Sequence, residues 1–496
     1  MSIRLWFFTP LVVAGASLTT LAGSRLMGPL STPVVASQPA QHRSTLEDQS
    51  ELAVTVYNSD LALVRDVRRV ALPRGEFDLE FQDIAATVNP ATVHLRSLTD
   101  PTRVSVLEQN YEYDLLDPEK LLKKYVGREV TLVRSRQQGG TTREEEVKGT
   151  LLSYNSAPVW RIDGEIVTGY HADHIRFPDL PGNLHARPTL IWSLANGGSG
   201  TEHVLETSYL ASQLAWSADY VLTVARDDRS ADVDGWVTVT NNSGTAFRNA
   251  SLQLVAGDLN RVRQAFGMAT DRMERRELAA AAAPAPMTQE AFAEYHLYSV
   301  GRRTSINNSE TKQISMLTAS RFPVSKRYVV NGQSHYYRNP LAPGAPLKDP
   351  VQVFYQFKNE QAAGLGMPMP AGVVRVYQAD SRGGVQFVGE DRIAHTPKDE
   401  VLDIKIGSAF DVVAERRQTD FQRVASSVYE FEHEITLRNH KTSPVAVEVN
   451  EPIGGTWRML QSTHDHAKTS ASSAQFVVPV AAGGSSTLTY RVRVTY

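Results

Sequence analysis

The 496-residue sequence contains no cysteine, which excludes several kinds of site at once. Without a thiol there is no disulfide framework, no thiolate zinc centre, no cysteine nucleophile and no lipid-modified cysteine anchor. An excess of charge of one sign is also lacking, because 51 Lys and Arg stand against 54 Asp and Glu, for a formal net charge of −3. A nucleic-acid-binding protein is expected to carry a strongly basic face, so this balance argues against that class of partner.

Sequence signatures of common catalytic sites are missing as well. The chain has no G-x-S-x-G turn of serine hydrolases, no Walker A phosphate loop and no H-E-x-x-H zinc motif. His433 and Glu434 begin the last pattern, but Leu437 stands where the second histidine is required. General acid–base pairs need no fixed spacing, so this absence alone does not exclude a hydrolase.

Residues 1–36 have the features of an export signal. Arg4 supplies the positive charge, residues 5–22 are apolar, and small residues suited to cleavage stand at 20–22 and 34–36. An uncleaved anchor is the alternative, because the apolar run approaches the ~20 residues that span a bilayer. No later segment has 18 consecutive apolar residues. We therefore expect an exported protein, periplasmic or secreted, with no transmembrane segment in the mature chain.

Most of the remaining sequence alternates between apolar and polar residues, the period of a half-buried β-strand. The clearest row is the last one, where one face is apolar or aromatic: Leu488, Tyr490, Val492, Val494 and Tyr496. Frequent turn signals between short strands are typical of sandwiches and barrels. The predicted fold class is all-β, with several β-sandwich or Ig-like modules, a small SH3-like barrel, one short helix and a helical Ala/Pro linker.

Local signals place a few turns and the helix. Asp163-Gly164, Asp234-Gly235 and Asn331-Gly332 are expected to form hairpin turns, because such pairs accept the positive φ that these turns need. Asp117 is expected to cap a helix that begins at Pro118 and ends before Gly127.

Composition breaks then suggest a division of the chain. The predicted parts are an export signal at 1–36, a disordered linker at 37–50, an N-terminal β unit at 51–115, a helix plus small β-barrel at 116–180, a main β-sandwich region at 185–420 with a linker at 260–290, and an Ig-like C-terminal β-sandwich at 421–496. No repeat with a fixed period of 20–50 residues is visible.

Several stretches, in order, resemble one bacterial family. They include AVTVYNSDLALVR at 53–65, LAWSADYVL at 214–222, GWVTVTNNSG at 235–244, LVAGDLNR at 254–261, and residues 294–298, 326–329 and 389–400. The pattern resembles proteins that carry the domain of unknown function 4139, whose distant relatives are described as mucoidy-inhibitor-like. The resemblance implies an exported, all-β protein of the bacterial envelope, and it carries no assigned reaction and no catalytic residues.

Two pairs of histidines have a spacing that suits a metal ion. His171 and His174 flank a carboxylate at Asp173, and His464 and His466 are expected on one face of a strand. Imidazole and carboxylate groups are ligands of zinc and similar ions. Both runs lie in turn-rich stretches without a marked third ligand, so a plain polar loop is the alternative and no cofactor is predicted.

Aromatic residues suggest a binding function instead. Trp192, Trp216, Trp236, Tyr209 and Tyr220 fall mainly on apolar faces, which favours core packing. Tyr336 and Tyr337 stand in the loop-like segment 334–338, and two tyrosines in a loop are expected to stay exposed as ligand-binding candidates.

These observations lead to one preferred function and one alternative. The preferred function is a non-enzymatic envelope protein that binds or organises an envelope polysaccharide or a protein partner. The alternative is an envelope hydrolase that uses carboxylates or a His-bound metal. The oligomeric state is not predicted.

Overall fold

The computed structural model describes residues 42–112, 117–138, 141–179, 181, 187–257, 259–260, 287–341 and 346–496. The export signal and most of the linker predicted at 260–290 therefore lie outside the described residues. Within the described part of the chain, no helix combines the length and the apolar character that crossing a bilayer requires.

The described residues are mostly β-strands, which confirms the predicted all-β class. The first six strands are β1 (His42–Ser44), β2 (Gln49–Tyr57), β3 (Leu61–Ala71), β4 (Gly75–Gln82), β5 (His94–Ser97) and β6 (Val104–Glu112). The α-helix α1 (Pro118–Lys124) is followed by β7 (Glu129–Gln138), β8 (Thr141–Asn155), β9 (Ala157–Ile162), β10 (Glu165–Thr168) and β11 (His174–Arg176).

Longer strands follow. The next five are β12 (Thr189–Asn196), β13 (Glu202–Ala211), β14 (Leu214–Val224), β15 (Ser230–Asn241) and β16 (Phe247–Ala256). The middle of the chain forms β17 (Thr288–Phe292), β18 (Tyr295–Ser299), β19 (Thr304–Ile306), β20 (Glu310–Pro323), β21 (Ser325–Asn331), β22 (Leu347–Asp349), β23 (Gln352–Lys358), β24 (Gly372–Ala379) and β25 (Val385–Ile393).

The C-terminal part completes the set of strands. It forms β26 (Val401–Ser408), β27 (Val412–Ala425), β28 (Val428–Asn439), β29 (Val445–Pro452), β30 (Thr456–Ser462), β31 (His466–Ser470), β32 (Ser473–Val480) and β33 (Ser485–Thr495). Short 3-10 helices occur at Leu46–Asp48, Pro90–Thr92, Ser334–Tyr337 and Gln361–Ala363.

Helix α1 and strands β7–β11 form a small module. The helix begins as predicted, because the side chain of Asp117 accepts the backbone N–H of Lys120 and Pro118 occupies the first turn. The five strands make one antiparallel sheet in the order β10-β9-β8-β7-β11 around a small core that includes Tyr125 and Trp160. This is the element predicted as a barrel, and its edge strands β10 and β11 do not pair with each other in the described residues.

Two larger β-sandwiches make up most of the fold. The N-terminal sandwich pairs a sheet in the order β17-β18-β16-β2-β3-β13-β5 with one in the order β20-β15-β14-β24-β25. The C-terminal sandwich pairs β26-β23-β21-β29-β32-β31 with β22-β27-β28-β33-β30. A further sheet, β1-β4-β12-β6, shares the core of the N-terminal sandwich through buried Phe81 and Trp192.

Nine strands of each sandwich have the same order and the same directions. Nine strands of the first, β2, β3, β13, β14, β15, β16, β17, β18 and β20, correspond in chain order to β21, β23, β26, β27, β28, β29, β31, β32 and β33. In each copy the one parallel pair of this set is the equivalent one, β16 with β2 and β29 with β21. The chain therefore contains a duplicated sandwich, although no fixed short period is visible in its sequence.

This pairing groups the residues differently from the predicted boundaries. Residues 42–50, expected within a disordered linker, form β1, a 3-10 helix and the start of β2. The predicted boundary at 421 falls inside β27, and the C-terminal sandwich already begins with β21 at Ser325. The reason is that both sandwiches pair strands far apart in sequence, which composition breaks do not reveal.

One of the three predicted hairpin turns is present. Asp163 and Gly164 connect β9 to β10 as a two-residue loop, both with positive φ. Asp234 and Gly235 instead lie inside β15, where a Cβ on Gly235 would come within 2.8 Å of Leu317 Cγ. Gly235 is thus required by close packing at a strand irregularity rather than by a turn. Asn331 ends β21 and leads into a 3-10 helix.

Candidate functional site

The duplicated sandwiches differ in the polarity of their cores. Asn241 ends β15 and Asn439 ends β28, so the strand pairing aligns the two copies residue by residue. On this alignment Ala218 of β14 corresponds to Arg416 of β27, and Gly235 of β15 corresponds to His433 of β28. The C-terminal copy therefore carries ionisable side chains at core positions that are small and apolar in the other copy.

Arg416 is the centre of a buried ionic cluster in the C-terminal sandwich. Its guanidinium donates from Nε to Oδ2 of Asp349 at 2.8 Å and from Nη2 to Oε1 of Glu451 at 2.6 Å. The side chains of Arg416 and Glu451 are fully buried. Burial alone lowers the pKa of Arg416, but the negative charge of Glu451 and Asp349 and the nearby phenols outweigh it and hold this pKa well above its usual range.

Three tyrosines surround this cluster and hydrogen-bond to it. The hydroxyl of Tyr337 donates to Oε2 of Glu451 at 2.5 Å and lies 2.6 Å from the hydroxyl of Tyr490. Tyr336 donates to Oδ1 of Asp349 at 3.3 Å, and its ring lies 4.8 Å from the guanidinium carbon of Arg416. Burial first, and then the charge of Glu451, raise the pKa of Tyr337 well above its usual value. Both carboxylates thus receive hydrogen bonds from phenols as well as from Arg416.

His433 lies beside the cluster and carries no charge. Neither ring nitrogen makes a hydrogen bond of good geometry with the described residues, while contact with the backbone of Tyr336 acts to raise the pKa of the ring. Its ring centroid lies 5.4 Å from that of Tyr337 and 5.6 Å from that of Tyr490. Burial first, and then the positive charge of Arg416, lower the pKa of His433 to about 3. The imidazole therefore packs as a neutral ring at neutral pH.

An open cavity of about 370 Å³ lies at the end of the same sandwich. It is lined by residues of the Ser334–Tyr337 helix end, of the β27–β28 hairpin and of the chain end: Arg338, Ser426, Ser427, Tyr429 and Tyr496. The rings of Tyr429 and Tyr496 lie 6.1 Å apart in an edge-to-face arrangement, and the rings of Phe421 and Tyr429 are stacked at 6.1 Å. We call these five lining residues the end cavity.

The end cavity and the ionic cluster meet at Tyr337. The hydroxyl of Tyr496 donates to the backbone carbonyl of Tyr337, while the phenol of Tyr337 is held by Glu451 inside the core. Arg338 follows directly in the chain and lines the cavity. The buried network therefore fixes the backbone from which one wall of the end cavity is built.

The four histidines proposed as metal ligands lie on or just before β11 and β31. His171 precedes β11 and His174 begins it; both are exposed, and Asp173 between them accepts the backbone N–H of Ser135 at 2.6 Å. In the described part of the chain, no three side chains of His, Asp or Glu are grouped closely enough to hold a metal ion.

The second histidine pair is divided between a turn and a strand. His464 lies before β31, and its Nδ1 is 3.1 Å from the hydroxyl of Thr463. His466 begins β31, where its ring lies 6.1 Å from Trp457 and 5.8 Å from Phe476. His466 thus makes ring contacts, and His464 makes local polar ones.

The expected exposure of Tyr336 and Tyr337 is wrong. Both rings are buried, because the segment forms a short 3-10 helix that turns them into the ionic cluster. The same segment nevertheless reaches the end cavity through Arg338. The core assignment of the other aromatic residues is confirmed for Trp192, Trp216, Tyr209 and Tyr220, while Trp236 is half-buried.

Sequence reasoning did not find the end cavity or the ionic cluster. Tyr496 follows β33 and continues its apolar alternation, and Glu451 and Arg416 lie in no distinctive local motif. A charged residue in the apolar phase of a strand, such as Arg416 after Val412 and Ala414, is a sequence signal that points to this region.

The fold and this region together define a duplicated β-sandwich protein whose C-terminal copy has a buried ionic cluster and an open aromatic cavity. A family model described as "Domain of unknown function (DUF4139)" matches residues 205–496, more than half of the chain. The chain belongs to this family, which confirms the resemblance seen in the sequence; residues 53–65 lie before the matched range. Comparison with the curated proteins gives no match.

Proposed function

We propose that this protein is exported to the cell envelope and binds a surface polymer or a protein partner there, without catalysing a reaction. The observation that carries the proposal is the end cavity, an open space in which two tyrosine rings are accessible and Tyr496 is 49% exposed. The cavity has a volume of about 370 Å³ and is open to solvent rather than enclosed. Accessible aromatic rings are common platforms for sugars and for partner surfaces.

The position of the carboxylates supports binding over hydrolysis. A hydrolase that uses two carboxylates needs them in contact with substrate. Asp349 and Glu451 are instead buried and paired with Arg416, and the described lining of the end cavity contains no Asp or Glu side chain. The ionic cluster is better suited to shaping the cavity wall than to reacting.

Export is supported by residues 1–36, with their basic start, apolar run and small residues. N-terminal sequencing of the protein from its native host tests this part directly. A mature chain that begins near residue 23 or 37 agrees with the proposal, and an intact Met1 on a protein recovered from the cytoplasm contradicts it.

A thermal-melt screen against envelope polysaccharides tests the binding role. A ligand present at 100 times its Kd adds about 2.7 kcal/mol of stability, which raises Tm by roughly 5–11 °C for a domain of about 150–250 residues such as the C-terminal sandwich. We expect Tyr429→Leu to abolish the rise and Phe387→Leu, a change at an exposed ring on β25, to preserve it. If no polysaccharide raises Tm, pull-downs with the same two variants test a protein partner. An equal effect of both variants in both assays contradicts the proposed site.

A further inference from the structure

We infer that the end cavity recognises an acidic sugar, through Arg338 in its lining, through Arg423 beside Tyr429, and through the rings of Tyr429 and Tyr496. Neither arginine has a carboxylate partner among the described residues. The inference rests on the proposed function and narrows it to one ligand class, a carboxylated saccharide of the uronic acid type. It is argued from the charges around the cavity, the anchoring of each arginine and the geometry of the rings.

The first arginine, Arg338, lies directly after the Ser334–Tyr337 helix. Its position is determined by the two preceding residues, whose rings are buried and hydrogen-bonded to Asp349 and Glu451. The Arg338 side chain itself is exposed and makes no ion pair with the described residues. Its positive charge lies close enough to Tyr496 to reduce the rise in pKa that burial causes at that phenol. Arg338 thus presents a free guanidinium beside an accessible ring.

The second arginine, Arg423, is on β27 across from Tyr429 of β28. Its guanidinium carbon lies 5.9 Å from the centroid of the Tyr429 ring, and Nη2 donates to the backbone carbonyl of Ser426 at 3.2 Å. No carboxylate among the described residues forms an ion pair with it. Because a guanidinium has five N–H donors, one hydrogen bond to a carbonyl leaves a bidentate edge for a carboxylate ligand.

The opposite face of the same two strands provides a contrast. There Arg491 and Arg493 of β33 pair with Glu430 of β28 at 3.2 and 2.6 Å, and Arg491 also reaches Glu432 at 2.9 Å. Those arginines are neutralised by carboxylates of their own sheet. Arg338 and Arg423 form no ion pair with a carboxylate side chain among the described residues, so both guanidinium groups are available to an acidic ligand.

The rings and hydroxyls of the cavity suit a saccharide rather than a free anion. Tyr429 and Tyr496 lie 6.1 Å apart with their planes at 60°, an edge-to-face contact that joins the two rings into one aromatic surface at the opening. Ser426 and Ser427 add hydroxyl groups at the same opening. A free phosphate or chloride would use the arginines alone and would gain nothing from the aromatic surface.

The test uses two ligands that differ only in charge. Trigalacturonate and its methyl ester are titrated into the purified full-length chain by calorimetry, at low and at raised NaCl. We expect the acid to bind at least tenfold more tightly than the ester, and its affinity to fall with added salt, because exposed charges are screened. Arg338→Gln and Arg423→Gln are each expected to weaken the acid about tenfold while leaving the ester unchanged.

Two further variants make the result specific. Tyr429→Leu is expected to weaken both ligands, because it removes the stacking surface. Arg382→Gln, a change at an exposed arginine between β24 and β25, is expected to weaken neither. The Tm of each variant without ligand shows whether it is folded.

Four results overturn the inference. Equal affinity for acid and ester, or acid binding that is unchanged in both arginine variants, rejects the role of charge and leaves polymer binding intact. Binding of neither ligand, together with a protein partner captured through Tyr429, rejects the saccharide and leaves the proposed function intact. If neither the acid nor the ester binds, and no protein partner or polymer binds in a way that depends on Tyr429, both the inference and the proposed function are rejected.

Discussion

Asn241 and Asn439 occupy the same place in the two sandwiches and make the same hydrogen bonds. Nδ2 of Asn241 donates to the carbonyls of Thr245, Ile306 and Asn307 at 2.9, 3.4 and 3.0 Å. Nδ2 of Asn439 donates to those of Ser443, Val480 and Ala481 at the same three distances. Through these hydrogen bonds, each asparagine connects the end of its strand to the loop that follows and to the opposite sheet.

Removing either asparagine should destabilise the protein by a similar amount. Asn241→Ala and Asn439→Ala each leave buried carbonyls without a donor, and we expect a loss of about 1–3 kcal/mol in the free energy of unfolding. Urea denaturation measures the loss, with Asn155→Ala at an exposed strand end as the control. If only one of the two variants loses stability, the two asparagines are equivalent in position but not in their contribution to the free energy of unfolding.

Arg416 should be far more costly to remove than an exposed arginine. Arg416→Met leaves Asp349 and Glu451 buried without their positive partner, and we expect a loss of about 3–5 kcal/mol. The triple variant with Asp349→Asn and Glu451→Gln should lose less, since no buried charge remains. Arg458→Met, at an exposed position on β30, is the control. A triple variant less stable than Arg416→Met alone would contradict the electrostatic explanation.

Buried His433 should make stability depend on pH. Its pKa is about 3 in the folded chain and about 6.5 when unfolded. The unfolded state therefore binds more protons as the pH falls below 6.5, and stability present above that pH is lost. We expect this residue to remove about 2 kcal/mol between pH 7.5 and pH 5.

A variant isolates this contribution from that of the other titrating groups. In His433→Leu, the free energy of unfolding measured by urea denaturation should fall less between pH 7.5 and pH 5 than it does in the parent. His440→Leu, at an exposed position just after β28, should leave the decline as it is. The assignment to His433 fails if the two variants decline equally.

Tyr337 should behave as a core residue in spite of its place between strands. Tyr337→Ala opens a space beside Glu451 and Tyr490, and we expect a loss of about 3–5 kcal/mol. Tyr337→Phe keeps the ring but removes the donor to Glu451, for a loss of about 1–3 kcal/mol. Chemical denaturation provides the measurement, and Phe410→Ala at a 94% exposed ring provides the control. A Tyr337→Ala protein as stable as the parent would instead support the sequence-based expectation that Tyr337 lies in an exposed loop.

Arg68 should hold the first strand in place. Its buried guanidinium donates to the carbonyls of Ser44 and Gln82 at 3.1 and 2.9 Å and to Asp66 at 2.8 Å. Arg68→Met should therefore increase hydrogen exchange in β1 well above that in the exposed control, Arg69→Met. Unchanged exchange at residues 42–44 would show that β1 is held by its pairing with β4 alone.

Features that depend on neighbouring residues were predictable from the sequence. The cap at Asp117, the turn at Asp163-Gly164 and the burial of Trp192 each follow from local preferences or from a period of two. The turn predicted at Asp234-Gly235 was wrong because the packing of Gly235 depends on Leu317, a residue far away in the chain. The exposure predicted for Tyr337 was wrong for the same reason, since its hydrogen-bond partners Glu451 and Tyr490 are distant in the sequence.

The sequence by itself determined the all-β class, the position of the helix and the family, because alternation, helix caps and motifs depend on residues that are close together in the sequence. Only the tertiary structure decided the duplication, the ionic cluster and the end cavity. Asp349, Arg416 and Glu451 come from β22, β27 and β29, and backbone hydrogen bonds between distant strands bring them together. Those pairings also bury Arg416 and leave Arg338 exposed, and this difference in burial separates a structural charge from one available to a ligand.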